Sequence, residues 1–388
     1  MKVATYYPWV YLRGGGERTL LEFLLHSRHT WTLYTNRYDP ESTFPEFRDL
    51  SIVELPRVSV KRDVGAVSRA ALTLLFQGLS FEDAQALMIC QESVGNLIAL
   101  RSRRLPVFCL CLTALRVAFD PLTRARFLAS GPSFMTRLGV SAFAAVDRLA
   151  WARYDRVFCI SGEVALRLRR ARLAREERME VIYPGVDLTS FHPDGVWESY
   201  FLLPGRIMWT KNIELGIEAF IRLKASSPGA RPFRLVVCGI VDEKSRPYLQ
   251  RLRTMVQGHK DIEFVVDPSD QTFKQLYRHA FAVLFTAFNE DWGLVPLEAM
   301  ASGRPVISVA LGGPLESITH GETGFLCPAE PEAFARAMAD LIDEPDRADQ
   351  MGRAGRQRVA RFSWDKFAGP VDDYIDSLAG RPRSVFSG

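Results

Sequence analysis

Apolar residues recur along this chain in two alternating rhythms. Short continuous apolar runs predict buried strands, and runs in which apolar residues return every three or four positions predict helices. In the first half, strands are expected at Lys2–Tyr6, Trp31–Tyr34, Ile52–Leu55, Ala86–Cys90, Pro106–Cys111, Val157–Ile160 and Val181–Ile182. Helical spacing covers Glu17–His26, Val64–Phe76, Val94–Leu100, Ala142–Tyr154 and Glu163–Leu173. The second half repeats the scheme, with strands at Tyr200–Leu203, Phe233–Cys238, Ile262–Val266, Ala282–Phe285 and Pro305–Val309. Its helices are Ile213–Leu223, Pro247–Val256, Thr272–His279, Leu294–Ala301 and Pro331–Ile342, then two near 347–361 and 366–378. A strand followed by a crossover helix implies parallel strands with helices on both faces. The fold class expected is therefore α/β, two Rossmann-like doubly wound domains over 1–183 and 200–363. Pro184, Gly185, Pro193 and Gly195 interrupt both rhythms and mark 184–199 as the linker. Ligands of such sheets bind beyond the carboxyl ends of the strands, and a cleft between the two domains is the expected site.

A length of 388 residues agrees with two domains. Hydrophobic residues make up 47% and charged residues 24%, as in ordinary globular proteins. No apolar run reaches the ~18 residues of a transmembrane helix, and the N-terminus lacks the apolar stretch of a signal peptide. A cytoplasmic location is expected, free or at the inner face of a membrane. The six cysteines (Cys90, Cys109, Cys111, Cys159, Cys238, Cys327) form no CxxC pair and read as buried thiols. Charge is uneven. Residues 1–187 carry 26 Lys and Arg against 19 Asp and Glu, while residues 188–388 carry 23 against 26. A basic front half suits an anionic partner such as a membrane surface or a phosphate-bearing lipid; an uneven solvated surface is the alternative. Nucleic acid is not expected, since no known module is present.

Three loops carry candidate chemistry. Gly14-Gly15-Gly16-Glu17-Arg18 follows the first strand, and glycines there let a ligand approach the backbone. Neither a P-loop nor a dinucleotide fingerprint accompanies it, and a plain tight turn is an equal reading. Gly205-Arg206-Ile207-Met208-Trp209-Thr210-Lys211-Asn212 lies between a strand and a helix, where Arg206 and Lys211 can neutralise a diphosphate. Asn289-Glu290-Asp291-Trp292-Gly293-Leu294 leads into a helix that carries Glu298. Asp291 is placed to cap that helix, and the two glutamates suit sugar and ribose hydroxyls. The Gly312-Gly313 pair again lies past a strand end, its amides available to a phosphate. No Asp-X-Asp and no Cys/His cluster calls for a metal.

Residues 181–327 resemble the retaining GT-B glycosyltransferases of the large group-1 family, mannosyltransferases among them. The resemblance rests on five features in order. They are Tyr183-Pro184-Gly185-Val186-Asp187, the Gly205–Asn212 loop, Glu290 and Glu298 with seven residues between them, the Gly312–Glu316 loop, and the Gly321–Leu326 turn. It implies that Arg206, Lys211 and Glu290 serve catalysis. It implies donor contacts from Glu298, from Gly205 and from Asp291, Trp292, Gly293 and Leu294. Gly15 and Gly16 would sit at the cleft, and a C-terminal helix, 364–380, would return to the front domain. No cofactor or metal is implied beyond a GDP- or UDP-linked hexose as co-substrate. The acceptor would be a glycan or a polyprenyl or other lipid-linked molecule, as in polysaccharide biosynthesis.

The front half departs from the family at one point. A His commonly follows the strand ending at Cys111, contacting the donor sugar, and here Leu112 and Thr113 stand there. Leu112 cannot hydrogen-bond a hydroxyl, so Thr113, Arg116 or Asp120 replaces the His, or transfer is weak or lost. A non-catalytic relative and a nucleotide-sugar epimerase are the competing readings. The stretch Leu115–Gly139 mixes arginine and phenylalanine, and reads as an interfacial segment or as a long loop with short helices.

Overall fold

A computed structural model describes residues 1–60, 64–81, 83–91, 93–102 and 104–379. It divides into two compact units. Of the described residues, the first comprises those of Met1–Tyr183 and Trp364–Ala379, and the second is Pro184–Ser363.

Among the described residues the first unit holds seven strands: β1 (Lys2–Tyr6), β2 (Thr30–Thr35), β3 (Ser51–Glu54), β4 (Ala86–Gln91), β5 (Val107–Cys111), β6 (Arg156–Cys159) and β7 (Met179–Val181). Their order is β3-β2-β1-β4-β5-β6-β7, with parallel pairing throughout. The order reverses between β1 and β4. β5 is buried at every position, which is why it reads as a continuous apolar run rather than an alternation.

The second unit holds β8 (Tyr200–Pro204), β9 (Arg234–Gly239), β10 (Ile262–Val266), β11 (Ala282–Phe285), β12 (Val306–Val309) and β13 (Gly324–Cys327). The order is β10-β9-β8-β11-β12-β13, again all parallel, with the reversal between β8 and β11. Phe201, Leu203, Leu235, Val237, Leu284 and Ile307 fill the core beneath Ile217 and Phe220 of one helix and Phe334 and Met338 of another.

Three elements differ from the sequence expectation. The Gly321–Leu326 turn is in part a strand, since Gly324–Cys327 pairs with β12. It is short and opens on a glycine, and a Cβ on Gly324 would lie 2.3 Å from the Val306 carbonyl oxygen. The helix expected over Ala142–Tyr154 runs from Phe134 to Trp151. Its first two turns carry apolar residues that face outward, so no inward-facing rhythm announces them. The Val94–Leu100 segment is a 3-10 helix, Ser93–Arg101.

The stretch 184–199 carries no helix or strand and packs along the second unit. Arg356 donates to the Phe191 and Leu188 carbonyls at 2.8 and 3.1 Å, and Trp197 stacks edge-on against Phe281. The helix Trp364–Leu378 belongs to the first unit; Gly380, its expected last residue, lies outside the described residues. Phe367 meets Phe23 edge to face, and Tyr374 does the same to Phe108 and Phe158. Buried Asp372 accepts hydrogen bonds from Ser27 Oγ at 2.5 Å and the Arg28 amide at 3.0 Å.

Candidate functional site

In the second unit the loops after β8 and β11 leave the sheet side by side at the reversal of strand order. Loops at that position are where doubly wound sheets hold ligands. The first loop is shaped by glycine. Gly205 has φ +134 and donates its amide to the Cys238 carbonyl at 2.9 Å. The loop presses so closely on the end of β9 that a Cβ on Gly239 would lie 1.8 Å from the Gly205 carbonyl oxygen. Half-buried Arg206 follows, then a 3-10 turn, Trp209–Lys211. Asn212, left-handed at φ 49, opens the helix Ile213–Ser226. Asn tolerates that conformation better than most residues.

The second loop is fastened to the first. Thr286 Oγ1 donates to the Lys211 carbonyl at 2.8 Å, and the Phe288 amide donates to the Thr210 carbonyl at 2.8 Å. Buried Asn289 is left-handed at φ 51 and turns the chain. Glu290 then faces Lys211, with Oε2 2.5 Å from Nζ. Both side chains are about a quarter exposed, at 24% and 22%. The contact is partly desolvated, and a charge-assisted hydrogen bond there fixes both groups.

Two details correct the sequence reading. The cap position of the next helix is Gly293, at φ 92, and not Asp291. A Cβ on Gly293 would come within 3.1 Å of the Phe285 ring, so the residue is selected by both conformation and space. The Gly312–Gly313 pair acts as a bed for the acidic loop. The Gly313 amide donates to the Glu290 carbonyl at 3.0 Å, and Cβ atoms on the two glycines would strike the Glu290 and Trp292 carbonyl oxygens. That amide is therefore engaged within the protein. Trp292 is buried, donates from Nε1 to the Pro184 carbonyl at 3.2 Å and meets Phe362 edge to face. Its side chain anchors the loop, which leaves its backbone as the part able to meet a ligand.

Glu298 sits in the helix Leu294–Ala301, just after its first turn. Tyr277 Oη donates to Glu298 Oε2 at 2.6 Å. Tyr277 is fully buried between Phe191 and Phe273, and burial raises its pKa well above the ordinary phenol value. It remains a neutral donor, and one oxygen of Glu298 is held while the side chain stays half-exposed. Sequence reasoning missed Tyr277, because nothing in its own helix marks it. It also missed Gly239, although a glycine ending an apolar strand is a legible signal of close backbone approach.

In the first unit the triple glycine is not a loop before a helix. Gly14 is the cap, and Gly15 and Gly16 form the first positions of the helix Gly15–His26. Amides at those positions have no partner within the helix. Leu112 and Thr113 follow β5, with β4 between β5 and β1. Leu112 is buried at 7% exposure, and the Thr113 hydroxyl donates to the Ala114 carbonyl at 3.2 Å. Asp120 caps the helix Pro121–Ala129 and lies 3.9 Å from Arg116 and from Arg167, so its carboxylate has a structural use. Among the described residues no three His, Cys, Asp or Glu side chains gather as a metal site.

The sequence profile described as Glycosyl transferases group 1 matches residues 196–358. A human protein, Alpha-1,3/1,6-mannosyltransferase ALG2, is 30% identical over 391 residues, covering 94% of this chain and 93% of that one. The D-inositol 3-phosphate glycosyltransferase of Kribbella flavida is 32% identical over 230 residues, 54% of each chain. Among solved structures, sucrose-phosphate synthase from Thermosynechococcus elongatus superposes with a TM-score of 0.77 at 20% identity, over 98% of this chain and 99% of that one. Anabaena HepE in complex with UDP and glucose gives 0.74 at 17% identity, over 97% and 100%. Two parallel α/β sheets of this topology, matched over their whole length, define the GT-B class. Within it, this chain belongs to the group-1 glycosyltransferases and resembles the mannosyltransferases among them.

Proposed function

We propose that the chain transfers a hexose, mannose-like, from a GDP- or UDP-linked donor to a glycan or lipid-linked acceptor, with retention of configuration and without a metal. The Lys211–Glu290 contact, locked between two loops at the strand-order reversal, carries this reading. In it, Arg206 and Lys211 hold the diphosphate, aided by the amino end of the helix Ile213–Ser226. Glu298, steadied by Tyr277, accepts ribose hydroxyls. Glu290 and the backbone amides of Asp291–Leu294 meet the transferred sugar. The anomeric C–O bond to the diphosphate breaks as the acceptor oxygen bonds to the same face, and the acceptor proton passes to the departing diphosphate. Preorganised cations stabilise the charge that develops on the leaving group. The name of the human relative supports mannose, and the UDP and glucose in the HepE complex support a nucleotide-linked sugar.

Arg206→Ala and Lys211→Ala should each lower kcat by about 100-fold or more, the usual scale for losing one transition-state donor. Both residues are partly exposed loop cations, so melting temperatures should stay near wild type. Wild-type turnover in both variants would sink the assignment. Buried Leu112 favours a second reading, a donor-binding relative without transfer activity. Assay of donor hydrolysis without acceptor separates the two: a binding protein leaves the donor intact.

A further inference from the structure

The stretch 184–199 reads as a linker in the sequence, yet side chains of the second unit fasten it along most of its length. Besides the Arg356 bonds to Leu188 and Phe191, buried Arg304 donates to the Gly195 carbonyl at 3.2 Å. Arg278 Nε lies 2.7 Å from Asp194 Oδ1, and His279 Nδ1 lies 3.0 Å from the Val196 carbonyl oxygen. A stretch held at so many points moves with the second unit and not as a loose tether. The chain passes between the units at Tyr183–Pro184 and at Ser363–Trp364. Freedom at the connections is therefore concentrated in a few bonds at those two places.

One side chain of the acidic loop reaches both places. Trp292 Nε1 donates to the carbonyl of Pro184, the first residue of the second unit. The Trp292 ring meets that of Phe362, one residue before the unit ends, with centroids 5.2 Å apart and planes at 71°. The Val186 amide donates to the Phe362 carbonyl at 3.3 Å, which ties the two crossings to each other. Trp292 is 2% exposed, and its backbone has no room to retreat. A Cβ on Gly313 would lie 2.4 Å from Trp292 Cα and 2.2 Å from its carbonyl oxygen. Close-packed interiors repack in discrete steps, so a shift of this backbone is passed on through the ring and is not absorbed. Packing alone does not explain the residue. Any large apolar side chain would fill the space, whereas the indole N–H adds a directed bond to one crossing while the ring holds the other.

We propose that Trp292 is a positioning residue that couples the donor loop to both connections between the units. The proposal rests on the donor site placed at this loop. A sugar seated against the backbone amides of Asp291–Leu294 fixes the loop, and Trp292 carries that constraint to Pro184 through its N–H and to Phe362 through its ring. Both connections then stiffen when the donor is bound.

Amide hydrogen exchange of the full chain, with and without GDP-mannose or UDP-glucose, tests it. In wild type the bound donor should slow exchange in the loop 289–294 and also, by roughly fivefold or more, at Gly185–Asp187 and at Phe362 and Ser363. Trp292→Phe keeps a ring against Phe362 and removes the N–H. It should retain the donor effect at Phe362 and Ser363 and lose it at Gly185–Asp187. Trp292→Leu should lose both while the donor still slows exchange in the loop. The wild-type pattern and the Phe variant decide the matter if the Leu variant fails to fold. Slowing confined to the loop in wild type, or undiminished slowing at the connections in the folded variants, would overturn the coupling and leave the donor site standing. No change anywhere with either nucleotide sugar would remove the donor site and the coupling together.

Discussion

Lys211 is already paired with Glu290 at 2.5 Å, so a diphosphate arriving at this cation must compete with a carboxylate. Such competition sets where each group rests before substrate arrives. Tyr277 has a simpler task, since its hydroxyl donates to one oxygen of Glu298 from a fully buried ring. Tyr277→Phe keeps the ring packing and removes only that hydrogen bond. A bond to a charged group contributes about 1.5–3 kcal/mol. The expected result is a donor KM raised by roughly tenfold with little change in kcat, read from initial rates against donor concentration. An unchanged KM would show that Tyr277 only fills space. The sequence displays Glu290, Glu298, Arg206 and Lys211 because they sit in fixed local patterns. Tyr277 and Gly239 escape that reading, since each acquires its meaning from a segment distant in the chain.

Elements are legible where their apolar residues point inward. Leu294–Ala301 and Ile262–Val266 have the expected bounds. The first turns of Phe134–Trp151 were hidden by their outward apolar face, and β13 by its brevity and its glycine. That same helix is pinned from below by Asp147, which accepts from Asn96 Nδ2 at 2.8 Å and Trp151 Nε1 at 3.0 Å. Burial outweighs both hydrogen bonds and pushes the Asp147 carboxyl up to about 6 from 3.8. The folded state therefore binds the proton more tightly than the unfolded chain. This contribution to stability is present below about pH 4, is lost as pH rises towards 6, and is flat above it. Between pH 4 and pH 7 the stability of wild type relative to Asp147→Asn should fall by roughly 2–3 kcal/mol, from the pKa difference at about 1.4 kcal/mol per unit. Urea unfolding of both proteins across that range measures it, and a parallel pair of curves would contradict it.

At the scale of the whole molecule, the two doubly wound units follow from the repeated strand–helix rhythm. The return of Trp364–Leu378 to the first unit does not, because no local pattern says which sheet a last helix covers. Aromatic contacts and Asp372 decide it. Asp372→Ala would leave Ser27 Oγ and the Arg28 amide without their acceptor. The expected cost is about 2–4 kcal/mol, seen as earlier unfolding of the first unit in calorimetry, with the second unit unaffected. The chain is a group-1 glycosyltransferase, and the central claim is narrower: the loops after β8 and β11 form its nucleotide-sugar site. Thermal stabilisation by a panel of nucleotide diphosphate sugars tests that claim most directly. At a concentration near 100 times Kd, a bound donor adds about 2.7 kcal/mol to folding stability. At least one GDP- or UDP-linked hexose should raise the melting temperature of wild type, and Lys211→Ala should abolish most of the shift. No shift with any donor, or a full shift in Lys211→Ala, would contradict the account.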